Sequence, residues 1–474
     1  MKRLNSYFMT GMMALAMLSS CNNEDTPAGE YQPEGRDAIA TFKLVIGSAG
    51  STTRAESEEG TDAGSTAEQT VNSLTLLVFD NTGAADVNTF QDGAKLESVM
   101  TFNDLGAENI YTAKVETTEG KKIAIALANN PTTGDNAIKY EKGVTDYKTF
   151  MTQTFLAAKM DADNKAVVLP IVSAENGIQM VSAPAGVDVV AGEANNTDLT
   201  LERLAAKVQM SFPATVGAAA DFEPTGLTMT FSDPRYFLAQ YQTTMQVAKP
   251  AVGTGVTGGS VTAHTVFPDL ANWNTPGDNQ NWSEAPDGSV YVSENIMSSE
   301  TNPKRNQTTA VLVKTAISFT KTSDNGAATN GTFHAICKFE SKEAAEADPL
   351  VWKTLDAANP YYGVYHDLAT ANTALGKITQ DKEKYAIVTF TNGISYYRLN
   401  LQDNTQQNLG GFFSVKRNSY YRITVTQINN IGWPNPGDLV DPTDDDDAED
   451  NRVGIEAKVN IDPWKVIIQN SPLQ

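Results

Sequence analysis

Two residues near the start of the chain invite chemistry done to the protein rather than by it. The first is Cys21, which comes directly after Leu18-Ser-Ser. Lys2 and Arg3 make a short basic region, and Tyr7 through Leu18 form an apolar stretch too short to span a bilayer stably. Residues 1–20 therefore read as a signal peptide. Small residues before a cysteine resemble a bacterial lipobox, after which Cys21 becomes a lipidated N-terminus. Several acyl chains, palmitate among them, anchor firmly where one does not. The plainer alternative is an ordinary signal peptide with an incidental cysteine.

The second residue is Arg54. It sits in Gly47-Ser-Ala-Gly-Ser-Thr-Thr-Arg54-Ala55, inside a polar stretch that runs to Gln69. Such a composition cannot bury enough apolar surface to order itself, and unordered backbone is where proteolysis concentrates. Exposed arginines are common, so position matters more than residue type. A cut between Arg54 and Ala55 frees the segment before it and leaves everything after it whole. It also removes as many basic as acidic residues, so the net charge stays at -22.

Catalysis finds little support. His264, His334 and His366 are scattered, and no Gly-x-Ser-x-Gly, Walker loop or His-Glu-x-x-His occurs. With 57 acidic residues, a pair of carboxylates means nothing without structure. The expectation is no enzyme, no catalytic residue, no cofactor and no metal. Asp444 to Asp447 offer oxygen ligands for calcium but lack the spacing of a binding loop, so they read as solvated linker. Cys337 shares strand parity with Ala335 and Phe339, which marks a buried strand residue. If Cys21 carries lipid, no intrachain disulfide is possible. The charge of -22 repels phosphate backbones and excludes nucleic acid as a partner.

The elements around these residues are strands. Ala40-Thr-Phe-Lys-Leu-Val-Ile46 alternates Ala40, Phe42, Leu44 and Ile46 with polar residues, just ahead of Arg54. Leu74 through Phe79 is a nearly continuous apolar run closed by Asp80-Asn-Thr-Gly83. Tyr111–Val115 and Lys122–Leu127, joined across Thr117–Gly120, predict a hairpin. Thr145 predicts an N-cap for a helix carrying Tyr147, Phe150, Met151 and Phe155. After a polar gap at Thr197–Thr200, Leu201 to Met210 reads as the opening strand of a second domain. Its later strands include Leu227–Phe231, Ala310–Lys314, Tyr385–Phe390, Tyr396–Leu401 and Tyr420–Val425. Many short strands, few helices and Gly-rich loops indicate an all-β chain of β-sandwiches.

The tail has a different character. Asp441 to Asp450 is an acidic run that stays extended and holds the last residues of the chain away from the body. Those last residues alternate again: Val453, Ile455, Ala457, Val459 and Ile461 share one parity, and Glu456, Lys458 and Asn460 the other. Trp464, Val466 and Ile468, beyond Pro463, supply a second inserting strand. Loss of the strand holding Phe42, Leu44 and Ile46 would open an apolar groove edged by unpaired backbone groups, which invites an incoming strand. Burying three large aliphatics of the tail there is worth roughly 5–9 kcal/mol, before the entropy of docking is charged against it. The bland alternative is that the tail strand pairs within its own domain.

At these residues the chain resembles the fimbrillin family, the stalk subunits of type V pili in Bacteroides-type bacteria, and is most similar to the minor-fimbrium type. The resemblance rests on Cys21, on Thr53-Arg54-Ala55 and on Val78-Phe-Asp-Asn-Thr-Gly83. It continues through Leu201-Glu-Arg-Leu-Ala-Ala-Lys-Val208, Lys416-Arg-Asn-Ser-Tyr-Tyr-Arg422 and Asp462-Pro-Trp-Lys-Val466. It implies two transthyretin-like β-sandwich domains, with a cleavable N-terminal strand and an extended C-terminal donor segment. It also implies a lipoprotein precursor at the outer membrane, cut by an arginine-specific protease, then a cell-surface fimbrium built by donor-strand exchange.

The corresponding layout is a signal peptide at 1–20, a lipidated propeptide at 21–54, sandwiches at 55–198 and 199–437, and linker with donor strands at 438–474. Implied partners are further copies of the chain, accessory anchor and tip pilins, the protease and a host or bacterial surface receptor. Two rival readings stand beside it. One is a surface lipoprotein that binds glycan or protein through Trp273 or Trp282; the other is an anchor or tip subunit.

Overall fold

The computed structural model describes residues 36–46, 68, 70–103, 110–134, 136–156, 159–160, 166–167, 172–173, 177–211, 217–218, 227–242, 247–248, 264–266, 289–297, 303–305, 308–324, 331–347, 355–356, 359, 361–403, 412–428, 430–435, 439 and 455–463. For residues 44–46 and 455–463 the description is of backbone alone. Cys21, Arg54, Ala55, Trp273, Trp282, Asp444 to Asp447, Val453, Trp464, Val466 and Ile468 lie outside the described residues.

The chain is mostly β, in several sheets. The first sheet is built from β1 (Asp37–Ile46), β2 (Ser73–Asp80), β3 (Lys95–Asn103), β4 (Ile110–Thr118) and β5 (Gly120–Ala128). It continues with β6 (Met180–Ser182), β7 (Ala185–Val189) and β8 (Asn195–Arg203). Their order is β3-β2-β5-β6-β8-β1-β4, with β7 also paired to β5. β2 is buried along Leu74–Phe79 and β5 along Lys122–Ala128, which is why both read as continuous apolar runs rather than alternations. The short helix α1 (Tyr147–Thr152) packs Phe150 against Phe79, ring centroids 5.6 Å apart.

Two sequence expectations change here. The cap of α1 is Asp146, whose Oδ1 accepts from the Thr149 amide at 2.8 Å; Thr145 uses its hydroxyl to accept from the Glu141 amide. The larger correction concerns β4 and β5. They are consecutive across Glu119 but do not form a hairpin: β4 pairs with β1, and β5 with β2, β6 and β7. The turn is a corner, with Gly120 at φ +114, a conformation that L side chains rarely adopt. A β-carbon there would also sit 2.8 Å from Thr82 Oγ1.

The stretch from Leu201 to Met210 is likewise two strands. It breaks at Leu204, whose amide donates to the Gln179 carbonyl at 3.0 Å, while the Ala205 carbonyl accepts from the Asn418 amide at 2.9 Å. β8 ends the first sheet and β9 (Ala205–Ser211) begins the next. The remaining longer strands are β10 (Met229–Gln242), β11 (Val290–Ser293), β12 (Ala310–Phe319), β13 (Phe333–Lys338), β14 (Tyr361–Tyr365), β15 (Tyr385–Phe390), β16 (Ile394–Asn400), β17 (Ser419–Ile428) and β18 (Ile455–Pro463).

They make a sheet ordered β11-β9-β17 with β18 on the far edge of β17, a sheet containing β10-β12-β16, and a small sheet β14-β13-β15. Buried apolar residues gather in two large clusters. One runs from Ala38 to Ala205 and takes in Tyr420; the other runs from Ala206 to Leu439. Cys337, in β13, is fully buried, and burial pushes its thiol pKa far up, so it is inert as a nucleophile.

Candidate functional site

β1 is an interior strand made from a terminal segment. Along one edge it runs parallel to β8, from Ala40 opposite Asn195 to Ile46 opposite Leu201. Along the other it runs antiparallel to β4, from Asp37 opposite Thr118 to Val45 opposite Ile110. Its alternation sends Ala38, Ala40 and Phe42 into the core, Phe42 with no exposed surface, and leaves Ile39 54% exposed. Ala113 and Val115 on β4 lie across from Phe42 and Ala40 and are buried with them. Leu44 and Ile46 continue the parity of Phe42 in register, opposite Leu199 and Leu201.

Fastenings beyond the ladders are few. Asn195 donates from Nδ2 to the Ile39 carbonyl at 3.1 Å while also bonding the Val190 and Glu193 carbonyls. Arg36, just before β1, grips Glu119 at the β4–β5 corner, with Nη2 2.8 Å from Oε2. That hydrogen bond holds the Glu119 carboxyl below its usual range. Arg36 is 76% exposed in its side chain, so the pair contributes little to stability. Among the described residues, β4 has no strand partner except β1. Removing β1 would therefore leave two open ladders, one on β8 and one on β4, above a void where Phe42 sat.

The chain on the C-terminal side of Arg54 is fastened separately. Glu68 is buried, and its carboxylate takes a hydrogen bond from Tyr291 at 2.6 Å and an ion pair from Lys207 at 3.2 Å. The Glu68 carbonyl accepts from Nε and Nη2 of Arg203, each at 3.2 Å. Lys207 lies over the ring of Tyr420, 4.7 Å from its centroid. β1 is thus tied to β8 and β4, and Glu68 to β8, β9 and β11, with residue 54 between them. These fastenings were not legible in the sequence, where Glu68 is one acid in a polar stretch.

β18 is held differently. It runs antiparallel to β17, from Ser419 opposite Pro463 to Ile428 opposite Ile455, with an irregularity at Val425/Gln427. Ile461, Val459 and Ala457 fall opposite Tyr421, Ile423 and Val425, and among the described residues this is the one ladder of β18. β17 in turn has parallel β9 on its other side. In the single chain, then, the tail strand rests on its own C-terminal sheet.

His334 bonds Thr389 Oγ1 at 2.9 Å, and burial lowers its pKa; His366 lies 3.1 Å from Asp367. His264 is in a short strand at 264–266. What the described geometry offers is a strand, β1, held by two ladders and one sealed phenylalanine.

A family model for the major fimbrial subunit protein FimA matches residues 40–212, from within β1 to just past β9. A second, for the C-terminal part of fimbrillin, the major fimbrial subunit protein type IV, matches residues 388–470 and holds β16, β17 and β18. No curated protein sequence matches the chain. Among solved structures, the chain is similar to a provisionally assigned cell-adhesion protein of Parabacteroides distasonis, with 15% identity, 91% of this chain and 100% of that one covered, and a TM-score of 0.47. It is similar to a fimbrilin (FimA) of Porphyromonas gingivalis, at 14%, 91%, 99% and 0.42 in the same order. A third is the tip fimbrial protein Mfa3 of Porphyromonas gingivalis with C-terminal truncation, at 12%, 90%, 100% and 0.38.

Proposed function

Because the chain belongs to the fimbrillin family of fimbrial subunits, structural proteins of cell-surface fimbriae that serve adhesion, we propose that it is a stalk subunit polymerised by strand exchange. In this reading the chain reaches the outer membrane as a lipoprotein held by Cys21. An arginine-specific protease cuts between Arg54 and Ala55, and β1 leaves with Phe42, Leu44 and Ile46. The tail of a neighbouring copy then enters between β8 and β4, with Ile455, Ala457, Val459 and Ile461 replacing the departed side chains. Val453 leads it in, and Trp464, Val466 and Ile468 come after.

The observation that carries this reading is the position of β1, the sole strand partner of β4 among the described residues. An edge strand stripped of its partner is a ready template for another chain. The exchange is favourable in backbone terms, because β18 gives up one ladder and gains two. Head-to-tail addition of this kind is heterologous and builds an open filament rather than a closed ring. Two transthyretin-like sandwiches, anchor and tip pilins at the fibre ends and a surface receptor complete the proposal.

The pairing of β18 with β17 favours a second reading, in which the tail stays at home and the chain is a terminal subunit or a surface adhesin that does not polymerise. One experiment separates the two. Arg54→Ala should leave lipidated monomers on the membrane, and protein sheared from wild-type cells should begin at Ala55. Normal fibres from Arg54→Ala, or sheared protein beginning at lipidated Cys21, would reject the stalk assignment.

A further inference from the structure

Lys122 is the one charged side chain in the buried run of β5, and it has no exposed surface. Its Nζ lies 3.0 Å from Asp80 Oδ1, 2.7 Å from Glu97 Oε2 and 2.8 Å from Thr118 Oγ1. Asp80 and Lys122 are direct partners across the β2–β5 ladder. Glu97 comes from a β-bulge: the β2–β3 pairing passes from Val78 opposite Ser98 to Phe79 opposite Leu96, which leaves Glu97 as the extra residue. Bulges re-aim side chains, and this carboxylate is aimed at the amine. Its other oxygen is fixed by the Thr118 amide at 2.6 Å and the Thr117 hydroxyl at 2.8 Å.

We propose that Lys122 and Asp80 become joined by an amide bond that the folded protein forms unaided, with Glu97 as the catalytic carboxylate. Two carboxylates meet one ammonium here, and passage of an ammonium proton to Asp80 gives the amine and the acid from which the condensation starts. The lone pair of Nζ then attacks Cγ of protonated Asp80, and Glu97 accepts a proton from the nitrogen. Glu97 returns that proton to the departing hydroxyl, which leaves as water.

One C–N bond forms and one C–O bond breaks. Glu97 is regenerated, and no electrons are transferred to or from any other group. The Asp80 side chain is 15% exposed, which gives the water a way out. Reactants held in contact on adjacent strands supply the proximity that such a condensation lacks in solution. The bond would tie β2 to β5, inner strands of the first sheet, independently of any strand exchange.

The test is the intact mass of the folded, purified full chain, with its ends read from terminal peptides. The expected mass is lower than the sequence mass by one water, with a branched peptide joining the Asp80 and Lys122 segments after digestion. A full sequence mass overturns the proposal, as does a water loss confined to Asp80–Asn81, which marks a cyclic imide. Glu97→Gln and Lys122→Arg, each with the wild-type circular dichroism spectrum, should both keep the full mass. A dehydrated Lys122→Arg chain refutes the bond, and a dehydrated Glu97→Gln chain refutes the part given to Glu97.

Discussion

β1 and β18 are both alternating apolar strands at the margins of the sequence, yet the fold holds them in opposite ways. β1 is wedged between two strands, with Phe42 sealed in the core; β18 lies on one strand, at the edge of its sheet. Taking β18 away uncovers one ladder. Taking β1 away opens two ladders and a cavity. The element that holds more of the fold together is thus the one placed before the candidate cleavage site, so under the proposed trimming it would leave a vacancy shaped for another strand.

The largest way to break this comparison is to stop β18 from leaving. Arg422 and Asn460 are partners across the β17–β18 ladder. Cysteines at both positions should lock the tail at home, abolishing fibres in oxidising buffer and restoring them on reduction, as read by electron microscopy. Fibres of normal yield from the oxidised variant would show that β18 need not move.

A second pair of substitutions sharpens the difference by energy. Phe42→Ala should lower the unfolding free energy of the untrimmed chain by about 3–5 kcal/mol, through lost burial and a cavity. It should do nothing to the trimmed chain, which no longer contains it. Lys207→Ala removes the ammonium paired with the buried Glu68 carboxylate, which costs about 3–5 kcal/mol in both forms alike. Chemical denaturation of the wild type and Lys207→Ala in both forms, and of untrimmed Phe42→Ala, checks the pattern; an untrimmed Phe42→Ala chain as stable as wild type would contradict it.

The smallest effect concerns the outer end of β1. The Glu119 carboxyl has its pKa lowered by Arg36, so their contact is present above the ordinary carboxylate range and is lost as pH falls through the lowered value. Glu119→Gln should slightly speed hydrogen exchange at the Asp37–Ala40 end of β1 at neutral pH. The difference from wild type should vanish in acid and shrink in high salt.

Several of these elements were legible in the residues. The alternation around Phe42 gave β1, and that from Ile455 to Ile461 gave β18, because a half-buried strand writes its period of two into the sequence. The partner of each strand was not legible. β4 and β5 look like a hairpin, since a short polar turn joins two strands; that β1 takes the hydrogen-bonding edge of β4 is a long-range fact with no local signature. The break at Leu204 is equally silent, because apolar residues recur on both sides of it and neither Gly nor Pro marks it. Polar Thr197, Asp198 and Thr200 read as a gap between domains, although they belong to β8, the parallel neighbour of β1. The meeting of Lys122 and Glu97 has no sequence signature either, because it depends on a bulge that composition does not record.

Strand exchange requires that removing β1 create a seat for the tail. A direct measurement is native mass spectrometry of a synthetic peptide covering 453–474 against chains ending at Arg452, one beginning before β1 and one at Ala55. Both chains have a vacant β17 edge, so trimming should add a second, tighter equivalent of bound peptide. Identical stoichiometry and affinity for the two chains would contradict the exchange.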